Sequence, residues 1–219
     1  MLYELVEMEA PMFRALTMVV LLVTVALATP SLSAAPADPE VQKPIDTLDA
    51  ALLEAMKAGA TLGFAARVQK LDPVIRQAFD LPYMAQIMAG RYWAKIPDPD
   101  RARYIDAFSR WTVATYASNF KGYDGETFQT VGQEDTGKTV WVRTRLNVPG
   151  KDPISLNYVM HRNGANAWQA ADIYYNGSIS EVARRRSEFQ EVIGAKKIDG
   201  LIAMLEEKTR QLASPKPGS

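Results

Sequence analysis

The sequence predicts an α+β domain: N-terminal helices, a four-stranded antiparallel meander sheet, and C-terminal helices, with the helices covering one face of the sheet. Three observations carry this expectation. Apolar residues between Ile45 and Tyr116 recur every three to four positions, the period drops to two between Gly125 and Tyr175, and it returns to the helical value after Asn176.

The elements follow in order. Ile45, Leu48, Leu52, Leu53 and Met56 form the stripe of a first helix, which "KAGATLG" interrupts. A second helix is expected from about Phe64 to Phe79, broken or kinked near Pro73. A third follows "DLP", with Tyr83, Met84, Ile87 and Met88 on one side. The clearest helix opens with Asp98 as its expected N-cap and Pro99 in the first turn. Tyr104, Phe108, Trp111, Thr115 and Tyr116 then follow at helical spacing.

The strand-like runs are "ETFQTVGQ", "KTVWVRTRLNV", "PISLNYVMH" and "AWQAADIYY". They are joined by "EDTGK", "PGKD" and "RNGAN", all rich in turn formers. Alternation assigns their faces. Val140, Val142, Thr144 and Leu146 share one face, against Trp141, Arg143 and Arg145. Ile154, Leu156, Tyr158 and Met160 oppose Ser155, Asn157, Val159 and His161. The apolar faces are the ones the helices should cover. "NGSISEVARRRSEFQEVI" then resumes a helix, and "KIDGLIAMLEEKTRQLA" supplies a final amphipathic one.

Upstream, Arg14, the apolar run Ala15 to Ala28 and the small residues around Ser33–Ala37 have the three parts of a secretory leader, with cleavage expected after Ala34 or Ala37. The run is shorter than the ~20 apolar residues of a spanning helix. The segment before Met12 is acidic, which makes Met12 an alternative start. Residues 1–34 are therefore assigned to the leader, 35–44 to a linker marked by Pro36, Pro39 and Pro44, 45–213 to one domain, and 214–219 to a disordered tail.

Composition excludes several functions. The formal net charge is zero, unlike that of nucleic-acid binders that work by bulk electrostatics. No cysteine is present and His161 is the only histidine, so thiolate chemistry, cysteine metal sites and multi-histidine sites are ruled out. P-loop, GxGxxG, GxSxG, HExxH and EF-hand patterns are missing. No cofactor and no metal is expected.

The remaining polar features each have a plain reading. Arg184, Arg185 and Arg186 fan over more than half a helix circumference, and Glu181 and Glu188 stand at pairing distance from two of them. A solvated, ion-paired face is expected, with one arginine left to meet a phosphate or a partner. His161 ends a strand on the face away from the apolar one. Asp172 interrupts an apolar strand and is expected to bond to nearby backbone or to sit at a bulge. The aromatic and methionine stripes serve either a core or a cavity wall.

These residues resemble a known family. Trp168, Asp172, Gly177, Ile179 and Ser180, then Arg186, Ser187 and Phe189, then "GLIAMLEEK" from Gly200 to Lys208, follow in the order and spacing of the periplasmic lipid carriers. That family includes the Mla phospholipid shuttle, the toluene-tolerance auxiliary proteins and a hopanoid-associated branch, which "ISEVARRRSEF" resembles most. "FDLPYMAQIMAGRYW" and "RARYIDAFSRWTVATYASNF" fit the segment before the sheet.

The resemblance implies an apolar pocket enclosed by helices and sheet, no catalysis, and a phospholipid or hopanoid cargo. It implies an inner-membrane ABC transporter complex as partner, with an outer-membrane complex as a second. Strand parity and helix stripes then place the lipid-binding residues. From the helices come Met84, Met88, Phe108, Trp111 and Phe189. From the strands come Val142, Leu146, Leu156, Tyr158, Met160, Trp168 and Ile173. Arg186 is the expected headgroup contact. Two alternatives stay open: a ligand-free scaffold with a filled core, and a pocketed isomerase or dehydratase using Asp172 with Tyr158 or Tyr174.

Overall fold

A computed structural model describes residues 38–214. The expected leader and all but the first residue of the expected tail lie outside the described residues. Helix α1 spans Pro39–Ala58, α2 Phe64–Ala78, α3 Leu81–Ala89 and α4 Asp98–Asn119. A five-stranded antiparallel sheet follows, in the order β1 (Thr127–Asp135), β2 (Val140–Asn147), β3 (Ile154–Arg162), β4 (Trp168–Tyr175) and β5 (Ile179–Ser180). Helix α5, Glu181–Ala213, closes the chain. The class is the expected one, with one strand more. β5 is only two residues long, and Ile179 and Ser180 pair with Tyr175 and Tyr174.

Local chemistry explains the boundaries. α1 starts at Pro39, inside the stretch read as linker. Asp38 caps it by accepting from the Glu40 amide at 2.9 Å, and Pro39 sits at the start, where a missing N–H costs little. α2 continues through Pro73 without a break in its helical assignment. In α4 the cap is Pro97 rather than Asp98. Asp98 lies one position further in, where its charge suits the helix N-terminus, and it pairs with Arg101 at 2.7 Å. The two helices expected at the C-terminus are both present within α5, meeting at a kink where Lys197 leaves helical geometry (φ 60°, ψ −173°).

The sheet faces alternate as predicted, except that Ile154 is half-buried and Asn157, on the opposite face, is buried. Val140, Val142, Thr144 and Leu146 are buried, as are Leu156, Tyr158 and Met160. Trp141 and Arg143 are half-buried on the other face, and Arg145 is exposed. α1 packs across β2 and β4, α2 and α3 meet β4, and α5 lies along α3 and α4. Hydrogen bonds fasten the α2–α3 corner to β4: the Asp80 amide donates to the Ala170 carbonyl at 3.0 Å, and Gln169 Nε2 donates to the Arg76 carbonyl at 2.9 Å. The inner sheet face and the helices above it therefore bound one continuous interior.

Candidate functional site

The interior between helices and sheet is built from the apolar face of each element. Val142, Leu146, Leu156, Tyr158, Met160 and Ile173 all lie on the inner sheet face and are buried. A run of rings crosses from helix to sheet over them. Phe79 lies 5.7 Å from Tyr116 and 6.1 Å from Tyr158, Tyr116 stacks on Phe120 at 5.7 Å, and Phe120 meets Phe128 of β1 at 6.2 Å. Ring pairs at these separations add modestly to the area they bury.

The helical half of the predicted set gathers elsewhere. Phe108, Trp111 and Phe189 form a cluster with Tyr104 where α4 meets α5, with ring centroids 6.1–6.4 Å apart. Met84 and Met88 are buried on α3, which packs against both helices. Trp168 stands apart. It is half-buried at the start of β4 under the Arg162 guanidinium, 4.6 Å from the ring centre. It lines a smaller groove of about 210 Å³ with Asp38, Val41 and Val140. The structure thus brings the predicted residues together as two adjoining clusters and one outlier.

The arginine triplet divides three ways. Arg185 is buried at 5% exposure, with its guanidinium 4.6 Å over Trp111, and it bonds Glu181 at 2.7 Å and Glu188 at 3.0 Å. Arg184 also bonds Glu181, at 2.6 Å, while Glu188 turns to Lys208 at 2.7 Å. The two outer arginines keep to the solvated side, but the middle one belongs to the interior. Burial raises the Glu188 carboxyl, and the bonds from Lys208 and Arg185 outweigh it to leave a net lowering.

Arg186 is exposed at the rim of a cleft of about 590 Å³ on the outer face of the sheet. Tyr83 and Ile87 of α3, Val159 and His161 of β3, Asp172 of β4 and Val182 of α5 line the same cleft, with Lys138 across from them. His161 Nε2 stands 3.0 Å from Asp80 Oδ2 without hydrogen-bond alignment, and its ring lies 4.6 Å from Tyr83.

Asp172 accepts from the Ile173 amide at 2.7 Å, the Ser180 hydroxyl at 2.5 Å and the Val182 amide at 3.1 Å, beside a bulge opposite Val159. Burial raises its carboxyl above the ordinary range, partly offset by these bonds. Of the two pairings the isomerase or dehydratase alternative requires, Asp172 with Tyr158 is split across the sheet, Tyr158 lying on the inner face; Tyr174 shares the outer face with Asp172, whose carboxylate is bonded to Ser180 and the Val182 amide.

Asp49 is the residue that sequence reasoning passed over. It is 7% exposed on α1, and its Oδ1 has no hydrogen-bond partner among the described residues. Burial, with the nearby Asp46 charge, pushes its carboxyl up to about 8. Burial also holds the Tyr158 hydroxyl well above its ordinary range, with the Asp49 charge adding to the effect, and Tyr116 behaves alike. The signal was present in the helical phase: Asp49 lies four positions after Ile45 and three before Leu52, on the apolar stripe.

Two comparisons bear on this arrangement. The sequence model of the MlaC protein family matches residues 46–207, from the first turns of α1 to the last of α5. Among solved structures, the chain is similar to a phospholipid-binding protein from Ralstonia solanacearum, determined in complex with a phospholipid. The two are 24% identical, the match covers 80% of this chain and 99% of that one, and the TM-score is 0.69. The second likeness concerns the fold.

Proposed function

The chain belongs to the MlaC protein family, the lipid carriers of the Mla phospholipid shuttle, and on that premise we propose that it is a periplasmic carrier that binds one phospholipid and passes it between membrane complexes. The observation that carries this reading is the family match over residues 46–207, which takes in α2 to β5 whole and most of α1 and α5. The Ralstonia solanacearum protein of the same fold, bound to a phospholipid, supports it.

The physical demand on such a carrier is to hide acyl chains from water. Each methylene removed from water contributes about 0.8 kcal/mol, so two chains need a long apolar wall and little charge. The inner faces of β2, β3 and β4 with the rings of Phe79, Tyr116 and Phe120 supply that wall. The chains lie against Val142, Leu146, Leu156, Tyr158, Met160 and Ile173, and helices α1 and α4 shift to admit them. Met84, Met88, Phe108, Trp111 and Phe189 form the adjoining cluster against which the helices move, and Trp168 borders the sheet's end. The headgroup stays at the surface; Arg186, the expected phosphate contact, stands at the cleft on the outer sheet face rather than beside this wall. Residues 1–34 act as the export leader, 45–213 as the single lipid-binding domain, and an inner-membrane ABC transporter complex loads or unloads the cargo.

Titration of the delipidated chain with pyrene-acyl phosphatidylglycerol tests this. The expected response is a saturable rise in emission at one lipid per chain, displaced by unlabelled phospholipid and unaffected by glycerophosphate. A response that never saturates, or displacement by glycerophosphate alone, would contradict a site built for acyl chains. Lipid extraction from the exported chain separates phospholipid from hopanoid.

A further inference from the structure

Asp49 has no structural task that its surroundings reveal. It does not cap α1, which Asp38 does. It follows Leu48, on the face that also carries Ile45 and Leu52, all of them essentially inaccessible to water. No cation lies within ion-pair distance of it among the described residues, and its Oδ1 is buried without a hydrogen-bond partner among them. A buried polar atom left unpaired costs about 1–3 kcal/mol, and a leucine there would simply extend the stripe. Such a group is accounted for if something that binds completes its hydrogen bonds.

The neighbours indicate what that would be. Burial raises the Tyr116 hydroxyl on α4 and the Tyr158 hydroxyl on β3, and the Asp49 charge on α1 adds to both, so three elements bring oxygen-bearing side chains to one region of an otherwise apolar interior. The Tyr158 and Tyr116 rings both contact Phe79, at 6.1 and 5.7 Å between ring centres, Tyr158 fully buried and Tyr116 half-buried. Tyrosine hydroxyls held protonated, beside a carboxyl that burial keeps largely uncharged at neutral pH, donate and accept without carrying charge. A charged headgroup is a poor fit for this set, whereas an uncharged lipid oxygen matches it.

We propose that Asp49, with Tyr116 and Tyr158, forms an internal polar subsite that takes an uncharged ester carbonyl of the bound lipid and so sets how deep the acyl chains sit. The subsite rests on the carrier reading above. A carboxyl O–H donates to the ester carbonyl, and the tyrosine hydroxyls supply further donors around it. An ether-linked lipid of equal length has the same apolar bulk but lacks the carbonyl acceptor.

Binding of dioleoyl phosphatidylglycerol and of its dioleyl ether counterpart to the full-length mature chain tests this, with Asp49→Asn and Asp49→Leu alongside. The wild-type chain is expected to prefer the ester lipid by about tenfold, the worth of roughly one good hydrogen bond. Asp49→Asn, whose amide still donates, retains the preference to within about threefold. Asp49→Leu loses it while binding the ether lipid as the wild type does, and it unfolds at or above the wild-type temperature.

Equal wild-type affinity for the two lipids would overturn the subsite, and this arm needs no variant to fold. Undiminished ester preference in Asp49→Leu, or its loss in Asp49→Asn, would overturn it as well. Binding of neither lipid by the wild-type chain would instead overturn the carrier reading, and the subsite with it.

Discussion

At the scale of single residues, Asp49 and Arg185 pose opposite problems. Both occupy positions on an apolar stripe, but Arg185 is fully engaged, between Glu181 at 2.7 Å, Glu188 at 3.0 Å and the face of Trp111. Removing one partner of a buried pair leaves the other uncompensated, at a cost of about 3–5 kcal/mol. Arg185→Ala is therefore expected to lose stability in urea denaturation by less than that full amount, because Glu181 keeps Arg184 and Glu188 keeps Lys208. The double change Arg185→Met with Glu181→Gln should cost much less than Arg185→Ala alone. Equal losses would mean that the pair is not the source of the effect.

Asp49 predicts a pH dependence. Its folded carboxyl is pushed up to about 8 from an ordinary 3.8, so between those values the folded chain holds a proton that the unfolded chain has released. Stability from this group is fully present below the lower value and is lost as pH rises through the upper one. The slope is at most about 1.4 kcal/mol per pH unit in that window. Asp49→Asn should flatten the stability profile between pH 5 and about 8, measured by chemical denaturation at each pH. An unchanged slope in the variant would assign the dependence to another group.

These two residues also mark what was legible at this scale. Helical phase places both on buried stripes, since Arg185 lies three after Val182 and four before Phe189. Charge pointed the other way. Whether a charged residue on a stripe turns inward depends on partners supplied by other elements, and neither Trp111 stacking nor the Lys208 contact with Glu188 could be inferred from spacing. For the same reason the triplet read as a solvated face is correct for its outer members only.

At the scale of elements, the strands were read well because a period of two leaves little choice of face. Every residue assigned to the inner side of β2 is buried, and two of them, Val142 and Leu146, belong to the sheet half of the candidate site. The two-residue β5 has no period to detect. It exists because Asp172 gathers the Ser180 hydroxyl and the Val182 amide, folding the chain back onto β4 and starting α5. Asp172→Ala should cost about 2–3 kcal/mol through three lost bonds, one of them to the first turn of α5.

The break in α5 belongs to this scale too. Lys197 adopts φ 60° and ψ −173°, a conformation open mainly to glycine and costing about 1–3 kcal/mol in other residues. Glycine there relieves the strain at some expense in unfolded-state entropy. Lys197→Gly is expected to stabilise the fold by about 1 kcal/mol, read as a rise in the denaturation midpoint with no change in slope. A loss of stability would show that the lysine side chain, not the backbone, governs the break.

At the scale of the whole molecule, the sheet and α1 bury their facing sides. Val142, Tyr158 and Met160 on the sheet, and Ile45, Leu48 and Leu52 on α1, are at most 1% exposed. On the proposed carrier reading, acyl chains enter between the sheet and the helices that cover it. Parity and stripes identify which faces meet, but not how far apart they stand, because core wall and cavity wall have the same composition. Bound lipid stabilises the loaded form by mass action, about 2.7 kcal/mol at a free concentration one hundred times the dissociation constant.

The most direct test of the account is native mass spectrometry of the mature chain, exported by a bacterial host and purified without detergent, followed by organic extraction. The account predicts one lipid per chain, extracting as a diacyl phospholipid. A bare polypeptide mass, unchanged after incubation with membranes, would contradict it and leave a closed core serving a scaffold.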